Sequence, residues 1–214
     1  AGPCPEARGM TEDDARGWFA ERYDAQRVDR VGRFLELVRE ESERQNLVAA
    51  STLPHLWFRH ALDSGQLVAL AEGRDGAWID IGTGGGFPGM VVAVLRDAPM
   101  VLVEPRQKRA TFLRDAADAL GLANVTVEQK RVESVRCTAP AAIVSARAVA
   151  ALPALFAGAD HLTSRETLWL LPKGRSAPSE VEALTGSWQG VFHVEHSLTD
   201  PDSLIVIARG ITPA

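Results

Sequence analysis

The sequence DIGTGGGFPG at residues 80–89 decides the fold class. It overlaps the end of a short apolar run at residues 77–81 and leads into an apolar helical stretch that begins at Gly89. Glycines let a backbone turn sharply and let a ligand approach the main chain where a Cβ would block it. Pro88 suits a first helical turn, since its missing N–H would be unpaired there. The stretch therefore predicts the strand-to-helix turn of a nucleotide-binding α/β fold.

Two classes of cofactor are compatible with this turn. Gly84-x-Gly86-x-x-Gly89 matches the dinucleotide fingerprint, which alone is a weak signal. Glu104 ends the next predicted strand, where a carboxylate can accept hydrogen bonds from both hydroxyls of an adenosine ribose. Asp80 favours S-adenosylmethionine, because a cationic sulfonium donor has no pyrophosphate for an acidic residue to repel. NAD, or a turn without any ligand, is the alternative hypothesis.

The region after residue 77 alternates strand-length apolar runs with helical stretches, which predicts a mostly parallel sheet. The last two runs have no room for a crossover helix and should pair antiparallel, an ending that also favours S-adenosylmethionine over NAD. The predicted fold is doubly wound, Rossmann-like α/β with a seven-stranded sheet and an antiparallel C-terminal strand. The predicted strands are 77–81, 100–104, 124–129, 141–146, 166–171, 190–196 and 203–208, and the helices between them are 89–95, 107–120 and 152–161.

The region before residue 73 has a helical pattern. Thr11 with the acidic residues after it predicts a helix N-cap, and apolar residues recur at helical spacing over residues 25–45. A third helical stretch carries Pro54 near its first turn. The sequence thus predicts a helical appendage at 11–72 before a main domain at 73–214, with a disordered segment at 1–10.

Composition narrows the class of protein. The chain has 214 residues, 46% of them hydrophobic, and a net charge of -5. This allows one sizeable core and argues against a general polyanion binder. Cys4 and Cys137 lack zinc-ligand or disulfide spacing, no apolar run reaches the roughly 20 residues that span a bilayer, and no signal-peptide pattern begins the chain. We expect a soluble, cytoplasmic protein without a metal site.

Five motifs carry a resemblance to a known family. They are RHALDS at 59–64, DIGTGGGFPG at 80–89, QKRVE at 129–133, VSARA at 144–148 and PKG at 172–174. Their order and spacing resemble the RsmG (glucose-inhibited division protein B) family. The resemblance implies a class I S-adenosylmethionine-dependent methyltransferase that modifies the N7 of a guanine in the 16S rRNA of the small ribosomal subunit.

The resemblance also implies site residues. Gly82 and Phe87 match family positions that contact the cofactor, Val132 and Glu133 match a pair that flanks the adenine, and Arg147 matches a site arginine. The family often has serine before this arginine, where this chain has alanine. The predicted cofactor-binding residues, from the motifs and from the resemblance, are Asp80, Gly82, Thr83, Gly84, Phe87, Glu104, Val132, Glu133 and Arg147.

Guanine N7 carries an in-plane lone pair and no proton, so methyl transfer to it needs positioning rather than a general base. This is consistent with the absence of a catalytic dyad and of an Asn/Asp-Pro-Pro-aromatic motif. The predicted catalytic residues are Arg147, Lys173 and Arg131. Arg147 would donate to guanine O6 or to a phosphate, or else form a surface salt bridge. Lys173 and Arg131 would contact phosphates or be solvated.

Further residues admit two explanations each. His60 and Asp63, on one helix face, would form the substrate side or cap the appendage against the core. A basic rim would bind RNA phosphates or be a solvated surface; its members are Arg106, Lys108, Arg109, Arg114, Lys130, Arg131 and Arg136. The expected partner is 16S rRNA or the small ribosomal subunit, bound by a monomer. The alternatives are a small-molecule methyltransferase and a non-catalytic binding protein.

Overall fold

The computed structural model describes residues 10–214, so the predicted disordered segment at 1–10 lies, except for Met10, outside the described residues. Its strands are β1 (Trp78–Ile81), β2 (Met100–Val103), β3 (Val125–Glu128), β4 (Ile143–Ala146), β5 (Leu168–Lys173), β6 (Trp188–His196) and β7 (Leu204–Pro213). Its helices are α1 (Glu12–Ala20), α2 (Ala25–Glu41), α3 (Asp63–Leu70), α4 (Gly89–Leu95), α5 (Gln107–Leu120), α6 (Leu152–Ala159) and α7 (Ala177–Glu182).

The seven strands form one sheet in the order β3-β2-β1-β4-β5-β7-β6. Strands β1 to β5 run parallel to one another, and β7 runs antiparallel to both β5 and β6. The predicted doubly wound fold with an antiparallel C-terminal strand is therefore confirmed. Chain order reverses between β1 and β4, and in such sheets ligands bind beyond the carboxyl ends of the strands at that point.

The central strands β1, β2, β4 and β5 are buried on both faces of the sheet, which explains why they are nearly continuous apolar runs. Side chains alternate along β1: Trp78 packs into the core on one face, and Ile79 and Ile81 pack into the core on the other. Asp80 lies on the same face as Trp78, because successive strand residues point in opposite directions. The carboxyl end of β1 thus directs one polar side chain under the glycine-rich turn.

The helices before β1 share a core with the sheet. Phe34 and Leu35 of α2 belong to the same buried cluster as Met90 of α4 and Leu102 of β2. Thr11 caps α1, as predicted, through a capping box with the third residue of the helix. Among the described residues, none of the helices is long and apolar enough to span a membrane.

Two segments differ from the sequence prediction. The third helical stretch is a 3-10 helix (Ala50–His55), a π-helical segment (Trp57–Leu62) and then α3. The Glu12 carboxylate in α1 accepts hydrogen bonds from the backbone N–H groups of Trp57 and Phe58, at 3.0 and 2.9 Å. The carboxylate thus provides hydrogen-bond acceptors for the first two backbone N–H groups of the π-helical segment. The six-residue helix α7 is the second difference, since the sequence pattern predicted no helix between β5 and β6.

Candidate active site

The glycine-rich turn is held from below by Asp80. One carboxylate oxygen accepts hydrogen bonds from the Gly89 N–H at 2.9 Å and from the Thr83 hydroxyl. The other accepts from the Ser145 hydroxyl of the neighbouring strand β4, at 2.7 Å. One side chain thus ties together the end of β1, the turn, the start of α4 and strand β4.

Burial raises the pKa of Asp80 to about 6, although the hydrogen bonds from Thr83, Ser145 and Gly89 and the charge of Arg147 oppose the rise. The Asp80 carboxylate is fully buried and Thr83 is almost so. The sequence predicts that Asp80 and Thr83 contact the cofactor. In the structure, both side chains are buried beneath the turn and hydrogen-bond to each other, so they shape the turn.

The turn leaves its upper surface bare. Gly82 and Gly84 have φ angles of +65° and +58°, a conformation that L side chains rarely adopt. A Cβ on Gly82 would lie 2.6 Å from a methyl carbon of Val149. Glycine at position 82 is therefore required both by backbone conformation and by the close approach of the segment after β4.

Glu104 follows β2 and is almost completely buried. One carboxylate oxygen accepts from the Gly84 N–H at 3.0 Å, and the other accepts from the Arg106 N–H at 2.8 Å. A carboxylate has about four lone-pair directions, so each oxygen can accept one more hydrogen bond. Glu104 also lines an open cleft.

This first cleft has a volume of about 490 Å³. It brings together several predicted residues from three loops, namely Gly82, Glu104, Arg131, Val132 and Glu133. The segment Ala148–Val149 closes one side. We call it the adenosine cleft, after the ribose and adenine contacts that the sequence predicts for Glu104, Val132 and Glu133.

Phe87 lies outside the adenosine cleft. Its ring is buried between Phe34 and His60, with ring centroids 5.3 and 4.9 Å away. The Arg147 guanidinium carbon lies 5.4 Å from the centre of the Phe87 ring. Phe87 thus supports Arg147 in this structure, whereas the family resemblance implied a contact with the cofactor.

Arg147 follows β4 directly and is held by the segment before β1. One terminal nitrogen donates to the Asp63 carboxylate at 3.1 Å, and the other donates to His60 Nδ1 at 3.0 Å. Burial, with the charges of Arg147 and Arg59, lowers the pKa of His60 to about 3, so the ring is neutral near pH 7. Its Nε2 then donates to the Thr52 hydroxyl, 2.8 Å away. The ion pair is mostly buried, unlike the surface salt bridge that the sequence left open.

A second cleft, of about 530 Å³, lies on the other side of Ala148–Val149. Its lining includes Asp63, Arg147, Lys173 and Ser197. Since the same two residues also line the adenosine cleft, one short segment separates the two cavities. We call the second cavity the arginine cleft.

Lys173 is turned inward, so the solvated side chain that the sequence left open is wrong, and the phosphate contact stays a prediction. Its ammonium group donates to the Glu180 carboxylate at 2.8 Å and to the Ala150 carbonyl at 2.7 Å, and its side chain is 11% exposed. Glu180 also accepts from the Leu152 N–H. The pair therefore holds the segment after Arg147. Glu180 was not predicted, although an acidic residue follows Lys173-Gly174 within two helical turns.

The predicted basic rim divides into two parts. Arg106, Arg109 and Arg131 border the adenosine cleft. Arg109 also donates to the Asn46 carbonyl at 2.9 Å. Among the members away from the cleft, Arg114 donates to the Val127 carbonyl, and the Lys130 ammonium pairs with Glu128 at 2.9 Å. The cationic surface nearest the candidate site is thus smaller than the sequence suggests.

Comparison with solved structures identifies the fold. A putative O-methyltransferase from Klebsiella pneumoniae has a TM-score of 0.56 at 15% identity, covering 92% of this chain and 96% of its own. The glycopeptide N-methyltransferase MtfA, solved with S-adenosyl-L-methionine, has a TM-score of 0.58 at 11% identity, covering 76% of this chain and 99% of its own. The fold is that of the class I S-adenosylmethionine-dependent methyltransferases.

Sequence comparison identifies the family. The sequence model for GidB, described as rRNA small subunit methyltransferase G, matches residues 27–200, and the chain belongs to this family. A relative from Rhizorhabdus wittichii, named ribosomal RNA small subunit methyltransferase G, is 47% identical and covers 95% of both chains. A relative of the same name from Novosphingobium aromaticivorans is 46% identical, covering 94% of this chain and 89% of its own. The resemblance inferred from five motifs is confirmed.

Proposed function

We propose that this protein transfers the methyl group of S-adenosylmethionine to the N7 of a guanine in 16S rRNA. The observation that carries the proposal is the shared wall of the two clefts: Ala148 and Val149 line both. A donor in the adenosine cleft and a base in the arginine cleft would meet across this wall. The names of the relatives support ribosomal RNA as the substrate.

The adenosine cleft fits an adenosyl group. Glu104 can accept hydrogen bonds from both ribose hydroxyls, because each carboxylate oxygen retains a free lone pair. Val132 and Glu133 would flank the adenine, and the bare backbone at Gly82 and Gly84 would accommodate the amino-acid end. When bound, S-adenosylmethionine would supply an electrophilic methyl group. Asp80 and Thr83 act indirectly, by holding the turn.

Arg147 is the residue that would contact the base. Guanine O6 lies beside N7, so a guanidinium that donates to O6 also places N7 in one orientation. Because N7 has no proton to lose, no side chain has to act as a general base. Placing the nucleophile in line with the methyl group can itself supply several kcal/mol of the acceleration. Arg131, at the edge of the adenosine cleft, is proposed to contact an RNA phosphate.

The experiment incubates the purified protein with tritiated S-adenosylmethionine and small ribosomal subunits from a strain that lacks this enzyme. We expect tritium in 16S rRNA, at the N7 of a single guanine, and no incorporation into subunits that already carry the modification. Arg147→Ala should abolish incorporation, whereas the control Arg136→Ala should not, because Arg136 donates to nearby backbone carbonyls outside both clefts. Incorporation only into a free metabolite, or into no acceptor, would overturn the proposal.

A further inference from the structure

The carboxylate of Asp63 is a meeting point of three separate chain segments. It accepts hydrogen bonds from Arg147 just after β4, and from the hydroxyls of Ser197 and Thr199 in the β6–β7 connection, at 3.1, 3.1 and 3.3 Å. Gln66 of α3 donates to the same carboxylate at 3.1 Å. A buried carboxylate with this many donors is fixed in orientation, and it fixes the group that pairs with it.

His60 provides the second support for the guanidinium. Its neutral ring accepts from Arg147 through Nδ1 and donates to Thr52 through Nε2. The same imidazole lies against the Phe87 ring, whose face is also contacted by the guanidinium. Arg147 is therefore held by a carboxylate, an imidazole nitrogen and an aromatic face.

This arrangement leaves part of the guanidinium available. Arginine has five N–H donors in a rigid plane, and these two contacts use two of them. The side chain remains 21% exposed, and the residue lines the arginine cleft. Because the group is planar, fixing two of its donors also fixes the direction of the others.

We propose that Asp63 and His60 are positioning residues that direct the remaining N–H groups of Arg147 towards the purine base in the arginine cleft. The inference rests on the proposed function. Of the two roles that the sequence left open for these residues, it favours a role on the substrate side over capping the appendage. Both residues act through Arg147 and do not touch the base. They should therefore determine the rate of methyl transfer rather than the affinity for cofactor or RNA.

Gln66 offers a matched structural control. It lies in the same buried network, where it donates to the Ser197 hydroxyl and accepts from the Leu198 N–H. It makes no hydrogen bond to Arg147 among those in residues 10–214. Gln66→Leu removes one donor from the Asp63 carboxylate, which keeps its donors from Ser197, Thr199 and Arg147. The variant should therefore loosen the β6–β7 connection while the guanidinium stays supported by both Asp63 and His60.

The test compares Asp63→Asn, His60→Ala, His60→Asn and Gln66→Leu with the native enzyme. In Asp63→Asn, the amide NH2 replaces the oxygen that faces Arg147, so two donors oppose each other. We expect kcat on small ribosomal subunits to fall about 100-fold, the scale on which small misplacements act. KM and the Kd for S-adenosylhomocysteine should stay within about threefold, since neither depends on this alignment. His60→Asn, which retains an acceptor near the Nδ1 position, should recover part of the loss in His60→Ala.

Gln66→Leu should lower the melting temperature while kcat stays within about threefold of the native value. Native kcat in Asp63→Asn, or an equal loss in Gln66→Leu, would overturn the positioning role. If Asp63→Asn does not fold, the two His60 variants test the positioning role in the same way, since it predicts a lower kcat with an unchanged KM. A native enzyme that fails to label 16S rRNA would instead overturn the proposed function, and with it the inference that rests on it.

Discussion

Val149 lies directly over Gly82, so that a Cβ on the glycine would be 2.6 Å from a Val149 methyl carbon. The contact follows from the register of the sheet, in which Ile81 of β1 pairs with Ala146 of β4. Because β1 and β4 are adjacent, parallel and end at the same level, the segments that follow them lie side by side beyond the edge of the sheet. This contact forms the wall between the adenosine cleft and the arginine cleft.

Gly82→Ala should weaken S-adenosylhomocysteine binding at least about 10-fold, or about 1.4 kcal/mol. The new methyl group displaces Val149 and the wall with it. Gly121→Ala is the control, because Gly121 has the same φ of +65° but no atom within 4 Å of the position that a Cβ would take. Both variants should lose about 1–2 kcal/mol of stability from backbone strain. Calorimetric titration and urea unfolding measure the two effects, and equal cofactor affinities would contradict the account of the wall.

Glu104→Gln should weaken S-adenosylhomocysteine binding by about 1.5–3 kcal/mol, the usual contribution of hydrogen bonds to a charged group. The amide NH2 would also face one of two backbone donors, at Gly84 or Arg106. Glu128→Gln is the control, since Glu128 ends the next strand and pairs with Lys130 outside the cleft. Calorimetry on both variants provides the comparison. A Glu104 variant that binds as tightly as the Glu128 variant would remove the carboxylate from the cofactor site.

Asp80→Asn should become more stable relative to the native protein as pH rises from 4 to 7. The folded pKa of about 6 lies above the ordinary value of 3.8, so the folded state holds its proton over the range where the unfolded state loses it. The native protein therefore loses stability as pH rises through this window, by up to about 3 kcal/mol, and the variant does not. Urea unfolding at several pH values gives the difference. A difference that is constant from pH 4 to 7 would show that the carboxyl is not perturbed.

Lys173→Met should destabilise the fold by about 3 kcal/mol, because it leaves the Glu180 carboxylate without its buried partner. Lys130→Met is the control: its pair with Glu128 has nearly the same length, but Lys130 is 52% exposed, so the loss should stay under about 1 kcal/mol. The salt dependence of RNA binding should not change in Lys173→Met. A slope reduced by about 0.7 would instead indicate a lost phosphate contact.

The sheet and the adenosine cleft could be predicted because their signals are local. Strand-length apolar runs fix which segments form the sheet, and the carboxyl ends of adjacent parallel strands meet at one edge. The proximity of Glu104 to the turn that begins at Gly82 can therefore be predicted without knowing how the side chains pack. The motif at 129–133 adds the third loop of the cleft.

The orientations of charged side chains were less predictable. Lys173 turns inward because Glu180 lies on α7, a six-residue helix too short to produce a periodic pattern. Asp80 points under the turn because it lies on the same face of the sheet as Trp78. This direction can be inferred only when it is known which elements pack on that face. Phe87 supports Arg147 because the π-helical segment brings His60 against it. Each outcome depends on partners distant in sequence.

Isothermal titration calorimetry shows whether the cleft between Gly82 and Glu104 binds an adenosyl sulfonium donor. We expect S-adenosylmethionine and S-adenosylhomocysteine each to bind the purified protein with one-to-one stoichiometry, and NAD to give no measurable heat at the same concentration. Tight binding of NAD with no response to either adenosyl ligand would contradict this expectation.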